Sequence, residues 1–449
     1  MNGNVNMFER LSLLLYSALM HLMVPFVRLR LLKKGQQEAG YLSHVQERFG
    51  FYDHEAPEGL IWIHAVSLGE TRVAMILINR IRQSLAHARF LLTHGTATGR
   101  QEGLKLLRDG DVQVWQAWDT PQAVNRFLEH FKPRVGLFIE TEIWPNLLAG
   151  AQKRNIPTVL LNARMSQSSY QKALKLAFLS RPAFMSLDFA TAQHQDDALL
   201  LKNLGCHVKQ VLGNIKFDAQ LNMAQIEWGK VWQSKQLSPM IVLASSREGE
   251  EALFLEAIEA LSTQDRTRVL WCIVPRHPQR FEDVAALIGS RGHALLQRSS
   301  FQDLREITEQ NALDRSRVSV FLGDSLGEMN FYYASANVAL LGGSFLPFGG
   351  QNLIESIACE CPILMGPHTF NFKEVAHQAS HMGAARQVLD VSAAVMHALS
   401  LVDQGVDLME MKRLGQEFIH AHQGATELTY QAIEHLLVDE PSVVQPVWR

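Results

Sequence analysis

The hydrophobic pattern predicts an α/β fold built from two doubly wound, Rossmann-like domains facing a central cleft. Three observations lead there. Short β-rich apolar runs alternate with longer amphipathic stretches, as the strands and crossover helices of a parallel sheet do. The runs fall into two series, and a polar stretch separates them. The first series is Leu60 to Val66, Arg89 to Thr93, Val112 to Trp115, Val135 to Ile139 and Thr158 to Leu161. The second begins near Met240 to Ala244 and continues with Arg268 to Val274, Val318 to Leu322, Val338 to Leu341 and Pro362 to Met365. Between them, about Asp218 to Pro239 contains Gly229 and Pro239 and no clear strand. This predicts a domain over residues 36–220, a linker over 221–239 and a second domain over 240–449. The tail from Leu401 to Val438 reads as helices, the last of which can pack back on the first domain in such architectures.

At 449 residues the chain is long enough for two substantial cores. Apolar residues make up 47%, charged residues 19%, and 42 basic side chains face 45 acidic ones. That balance fits a globular protein and excludes a disordered tail or a dedicated nucleic-acid binder. Cys206, Cys272, Cys359 and Cys361 lack CxxC spacing. Neither a disulfide framework nor a structural zinc site follows, and a reducing compartment is expected for the body of the protein. Cys359 and Cys361 read as small buried residues.

The N-terminus breaks the soluble pattern. Leu11 to Val27 carries no formal charge and is followed by Arg28, Arg30, Lys33 and Lys34. This predicts a retained membrane anchor helix within residues 1–35, at the short end of the spanning range. A cleavable signal fits poorly, because the basic cluster lies after the apolar run. Leu11, Leu14, Leu15, Ala18, Leu19, Leu22, Met23 and Phe26 share one helical face, with Ser12, Ser17, His21 and Pro25 towards the other. That lean favours a helix lying in the interface over one that spans. The trailing cations place the rest of the chain on the cytoplasmic side.

Chemistry in open α/β sheets gathers where strands end, at their carboxyl edge. There is no GxGxxG after the first strand, no GxxxxGK[ST] and no HExxH, which counts against dinucleotide oxidoreductases, P-loop NTPases and zincins. Ser67-Leu68-Gly69-Glu70 follows the first strand. Read locally it is a capping box; read functionally, Glu70 is a general base kept ionised by the positive helix end. Glu140 and Glu142 follow the fourth run in an apolar context closed by Trp144 and Pro145, which suits a carboxylate pair, an orienting role for Glu140, or a purely structural role. Arg276, between Pro275 and Pro278, could pair with a phosphate or carboxylate, or with protein groups. Gly342-Gly343-Ser344 and then Gly349-Gly350-Gln351-Asn352-Leu353-Ile354-Glu355 would let backbone amides approach a phosphate and let Glu355 receive ribose hydroxyls. That ordered set is a nucleotide-sugar site of the B-type glycosyltransferase kind, with Asp324 to Glu328 adding a loop. The histidines form no ligand cluster.

In their order, these motifs resemble the 3-deoxy-D-manno-octulosonic acid (Kdo) transferase family of lipopolysaccharide synthesis. The resemblance also rests on Glu47-Arg48-Phe49-Gly50, Trp62 to Glu70, Asn162-Ala163-Arg164, Gly213-Asn214-Ile215-Lys216-Phe217-Asp218 and Gly366 to Phe372. It implies an inverting B-type glycosyltransferase that takes Kdo from CMP-Kdo and attaches it to the lipid A precursor (lipid IVA) at the cytoplasmic leaflet of the inner membrane. It further implies that Glu70 is the base, that Glu140 and Lys216 assist the transition state, and that no metal is bound in the site. CMP contacts would come from Pro275, Arg276, Leu326, Gly327, Glu328, Asn352, Leu353, Ile354 and Glu355. No cofactor is implied.

The chain departs from the family pattern at Gln351, where histidine is usual, at Arg247 in Ser245 to Glu251, and at His94 in Thr93 to Gly99. These positions are expected to line or border the cleft, which leaves the donor sugar open. The alternatives are a related B-type transferase using another nucleotide-activated sugar, and a non-catalytic membrane-associated nucleotide-sugar-binding protein.

Overall fold

The computed structural model describes residues 7–219, 221–309 and 318–438. Among these residues there are two compact units, each holding one seven-stranded sheet that is parallel throughout. The first unit contains β1 (Ile61–His64), β2 (Phe90–His94), β3 (Val112–Trp115), β4 (Val135–Ile139), β5 (Thr158–Ala163), β6 (Phe189–Ala192) and β7 (Val208–Val211), in the order β3-β2-β1-β4-β5-β6-β7. The second contains β8 (Met240–Ser246), β9 (Leu270–Pro275), β10 (Leu295–Gln297), β11 (Val320–Leu322), β12 (Val338–Leu341), β13 (Ile363–Met365) and β14 (Ala385–Gln387), in the order β10-β11-β9-β8-β12-β13-β14.

The central strands are apolar on both faces because helices cover both. In β1 and β4, Trp62 and Phe138 enter one core beside Phe127, while Ile61, Ile63, Leu137 and Ile139 enter the other beside Val73 and Leu77. The second unit has its own core around Leu243, Phe254, Trp271, Leu322 and Leu340. Strands β6, β7, β10 and β14 escape the sequence reading because they are short or carry polar residues, as in Val-Lys-Gln-Val and Ala-Arg-Gln.

Two expectations about organisation need correction. Residues 221–239 are not a free linker. They form the helix Met223–Lys235, which buries Ile226, Gly229 and Trp232 within the second unit. Glu227, Lys230 and Ser234 lie on its exposed face, and Gly229 is no breaker: a Cβ there would stand 2.7 Å from the Phe331 carbonyl oxygen, so the residue permits close helix packing. The final helix, Ala425–Leu437, belongs to the first unit, not to a domain running to residue 449. It adds Tyr430, Ile433 and Leu437 to the core beside Leu77. Asp218, where the chain leaves the first unit, also receives its return, because the Gly424 and Thr426 amides donate to its carboxylate at 2.7 and 2.6 Å.

The N-terminal segment is likewise two helices rather than one. Met7–Leu22 and Val24–Gln37 break at Met23, with Pro25 in the first turn of the second, where its ring removes an amide and blocks the continuing turn. Among the described residues no single helix is long and apolar enough to cross a membrane; the stretch Arg10–Leu22 with Val24–Gln36 has that composition but bends by 47°. The polar face is held to the first unit. Tyr16 donates to Asp119 at 2.9 Å, Ser17 lies 2.9 Å from Asn146 Oδ1, and Trp118 Nε1 donates to the Met20 carbonyl at 3.0 Å. Leu11, Leu14, Leu15, Leu19, Leu22 and Phe26 are exposed.

Replacing Asp218 with Ala removes both acceptors at the start of the final helix. A loss of about 1–2 kcal/mol in unfolding free energy is expected, read from urea denaturation; no loss would separate the helix from this cap.

Candidate active site

Open parallel sheets bind ligands where the strand order reverses, because the loops from the two flanking strands diverge there. The reversal lies between β1 and β4 in the first unit and between β8 and β12 in the second. Glu70 follows β1, and Glu140 and Glu142 follow β4, so three carboxylates converge on the first of these points.

Glu70 is fixed by the local sequence. Ser67 is the N-cap of the helix Leu68–Ser84, and its side chain accepts the Glu70 amide at 3.3 Å. In return the Glu70 carboxylate accepts the Val66 amide at 2.6 Å, the Ser67 amide at 3.2 Å and the Ser67 hydroxyl at 3.0 Å. The capping box therefore holds the Glu70 carboxylate at the end of β1. Burial, reinforced by the charge of Glu140, pushes the Glu70 pKa up, while the bonds from Val66 and Ser67 oppose that rise.

Glu140 adopts φ 64°, a left-handed conformation that non-glycine residues rarely take. Its carboxylate accepts Lys216 Nζ at 2.7 Å. Lys216 sits on the turn Ile215–Asp218, and that turn is held by Asn162, which also has positive φ, at 53°. The Asn162 side-chain oxygen Oδ1 accepts the Ile215 amide at 3.0 Å and its Nδ2 donates to Asn214 Oδ1 at 3.4 Å. Asn214 Oδ1 in turn accepts the Lys216 amide at 3.0 Å. The Asn162-Ala163-Arg164 and Gly213-to-Asp218 segments thus meet in space to place one lysine.

Glu142 accepts Trp144 Nε1 at 2.8 Å. Burial first, then the charges of Glu70 and Glu140, push its pKa up to about 8. Sequence reasoning missed Asp119, which anchors the turn after Glu142 by accepting the Asn146 and Leu147 amides at 3.1 and 2.9 Å. Its only sequence signal is an acid beside Thr120-Pro121 soon after β3. Burial raises its pKa to about 6. His94 does not line an opening: it is fully buried at the end of β2, with Nδ1 3.1 Å from the Ala65 carbonyl, and burial pushes it down to about 4.

In the second unit, the expectation for the glycines is corrected. The Gly343, Phe345 and Leu346 amides donate to the buried carboxylate of Glu250 at 2.6, 3.0 and 3.4 Å. The Gly350 and Gln351 amides donate to the Gly343 and Gly342 carbonyls. These amides bind the protein itself, and Gly342 serves close packing, since a Cβ would collide with the Ser245 carbonyl. Arg247 stacks on Phe348 with its guanidinium 4.4 Å from the ring centre.

The expected CMP contacts divide by what their side chains do. Pro275 ends β9, and the Arg276 amide donates to the Ser246 carbonyl at 3.0 Å. Leu326 is exposed, whereas Glu328 accepts Arg298 Nε and Nη2 at 2.8 and 2.7 Å and so fastens its own loop. Asn352 caps the helix Leu353–Ala358 by accepting the Ile354 amide at 3.2 Å. Leu353 and Ile354 point into the core, which leaves only their backbone for a ligand. Glu355 accepts Asn330 Nδ2 at 2.7 Å. Among the described residues no group of three or more His, Cys, Asp or Glu is placed to hold a metal ion.

Two doubly wound parallel sheets define the B-type glycosyltransferase fold. A glycosyltransferase from Rickettsia africae shares it at 12% identity and a TM-score of 0.50, covering 87% of this chain and 100% of that one. The family model described as 3-deoxy-D-manno-octulosonic-acid transferase (kdotransferase) matches residues 43–219. A 3-deoxy-D-manno-octulosonic acid transferase of Bordetella pertussis is 40% identical over 433 residues, covering 94% of this chain and 99% of that protein. One from Haemophilus influenzae is 30% identical over 397 residues, covering 86% and 90%. The chain belongs to the Kdo transferase family and is a glycosyltransferase.

Replacing Asn162 with Ala strands the buried Ile215 amide and releases the Lys216 turn. A loss of about 1–3 kcal/mol is expected in urea denaturation, with faster amide exchange across 214–218 than elsewhere in the first unit; uniform exchange would refute this account of the turn.

Proposed function

We propose that this protein transfers Kdo from CMP-Kdo to lipid IVA, with inversion at the anomeric carbon. The observation that carries the reading is the pairing, in a member of the Kdo transferase family, of a carboxylate clamped at a helix N-terminus with a lysine–carboxylate pair at the adjacent strand end. Glu70 removes the proton of the acceptor hydroxyl as its oxygen attacks the anomeric carbon. The bond from that carbon to the phosphate oxygen breaks, and CMP leaves with the electron pair. Lys216, oriented by Glu140, offsets the negative charge that develops. Direct displacement in one step inverts the centre.

CMP is held in the second unit by Arg276 with Pro275, by the backbone of the Leu326-Gly327-Glu328 loop, and by Asn352 to Glu355, with Glu355 receiving ribose hydroxyls. Glu328 contributes through its loop because its carboxylate already binds Arg298.

The same reading assigns the N-terminal helices to the cytoplasmic leaflet of the inner membrane, with the catalytic units on the cytoplasmic side. An interfacial position is favoured over a spanning one. The polar face is bonded to the first unit, while Leu11, Leu14, Leu15, Leu19 and Leu22 face outward, an arrangement suited to lying on acyl chains.

Mass spectrometry of lipid IVA incubated with the protein and CMP-Kdo is expected to show added Kdo, and no addition beside a working control would overturn the reading. Replacing Glu70 with Gln should lower the rate by about 10²–10⁴-fold; an unchanged rate would remove Glu70 from the role of base. Replacing Leu15 and Leu19 together with Glu should lower binding to anionic vesicles while leaving secondary structure intact.

A further inference from the structure

The three carboxylates at the β1–β4 reversal are not equivalent. Glu140 has the ammonium of Lys216, and Glu70 has two backbone amides and a hydroxyl. Glu142 has neither cation nor backbone amide within hydrogen-bond reach among the described residues. It accepts the neutral N–H of Trp144, and His64 Nε2 stands 4.0 Å from its Oε2.

His64 is fully buried on β1 between Trp62 and Phe138. Its Nδ1 lies 2.7 Å from Thr93 Oγ1, which also accepts Trp62 Nε1 at 2.9 Å. Its Nε2, aimed at Glu142, has no hydrogen-bond partner. Burial, with the neighbouring His94, pushes His64 down to about 3, so it stands neutral beside the carboxyl group. The titratable groups facing Glu142 are thus Glu70 on the Leu68–Ser84 helix, Glu140 with its partner Lys216, and His64 on β1 with His94 behind it on β2. The only cation among them is already bound to Glu140.

We propose that Glu142 keeps its own proton through the catalytic cycle, so that Glu70 alone of these two carboxyl groups is ionised and acts on the acceptor. This rests on the reading of Glu70 as base. A neutral Glu142 spares the site a further negative charge next to an anionic donor and an anionic acceptor. In the transfer, the acceptor O–H bond breaks and its proton passes to Glu70. The oxygen–anomeric carbon bond forms, the bond to CMP breaks, and the count of protons on Glu142 does not change. The raised pKa of Glu142 agrees with this assignment.

The test compares pH profiles of kcat/KM for the wild type and the Glu142→Gln variant, whose amide mimics a protonated carboxyl. The variant should keep its rate near pH 7 within about threefold and keep the acid limb of the profile in place. The wild-type decline near about pH 8, where Glu142 gives up its proton, should vanish. Movement of the acid limb to lower pH would mean that a charge had been removed, and it would overturn the proposal. So would a loss beyond about tenfold near pH 7.

Stability gives an independent sign. A carboxyl whose folded pKa lies above its ordinary 4.5 stabilises most below that value, and the contribution is lost as pH rises through about 8. The Glu142→Gln variant should therefore lose less stability than the wild type between about pH 6 and 9. If the variant does not fold, infrared spectra of the wild type without substrate decide. A protonated carboxyl band at about pH 7 that disappears above about pH 9 supports the assignment, and its absence overturns it. The infrared result does not depend on turnover, so it stands even if the Glu70→Gln variant shows that Glu70 is not the base.

Discussion

A parallel sheet covered by helices on both faces leaves no place for polar chemistry along its strands. β1 and β4 are buried from end to end, so a charge on either would lose its water and gain nothing in return. Polar groups must collect where the strands stop, and they collect most where neighbouring strands send their chains in opposite directions. That constraint accounts for Glu70, Glu140 and Glu142 sharing one end of the first sheet, and for Ser245 to Glu251 meeting Gly342 to Ser344 in the second. It also accounts for the backbone. Glu140, Asn162 and Ser245 have positive φ at or next to strand ends, where an abrupt change of direction is tolerated because hydrogen bonds fix the loops on either side.

Once charges are gathered at a nearly dry edge, each needs its own compensation. Glu250 and Glu251 are adjacent and buried, yet they are compensated differently. The first takes loop amides, and the second takes a bidentate ion pair from Arg280 at 2.6 and 3.0 Å. Glu328 takes Arg298 in the same manner. A carboxylate satisfied on this scale fixes a loop and has little left for a ligand. Glu70 differs because its donors, two amides and a hydroxyl, come from its own helix start and orient the group without cancelling its charge. Physical context therefore sorts acids of one residue type by what compensates each of them.

That sorting explains what was legible in the sequence. Strands of the sheet centres announce themselves as unbroken apolar runs, and Ser67-Leu68-Gly69-Glu70 announces both a helix start and an acid at a strand end. What depends on distant partners does not. Asn162 and Lys216 are 54 positions apart, and nothing local in Asn-Ala-Arg says that its asparagine fixes a lysine turn. Gly342 and Gly343 suggest free amides, yet the buried carboxylate that consumes the Gly343 amide belongs to Glu250, far back in the chain. Residues 221–239 look like a linker because the exposed face of a single helix is polar, and a helix without a strand pattern beside it resembles a connection. The last helix leaves no local mark of which unit it joins; its partners there, Asp218 and the core beside Leu77, lie more than 200 residues earlier.

The same logic ties the N-terminal helices to the site. The first helix turns its polar face inward and Leu11, Leu14, Leu15, Leu19 and Leu22 outward, the reverse of a helix folding onto a soluble core. One of the contacts that hold the first helix is a hydrogen bond from Tyr16 to Asp119, and Asp119 is also the carboxylate that accepts the Asn146 and Leu147 amides at the start of the helix following Glu142. Ser17 reaches Asn146 directly. One buried acid therefore joins the apolar surface to the loop carrying two of the three site carboxylates. A change in the seating of the first helix would be felt at Asp119, whose other bonds hold the start of the helix that follows Glu142. Under the reading of an enzyme working on a lipid acceptor, Asp119 is thus the shared anchor of the helix that carries the outward leucines and of the helix that follows Glu142.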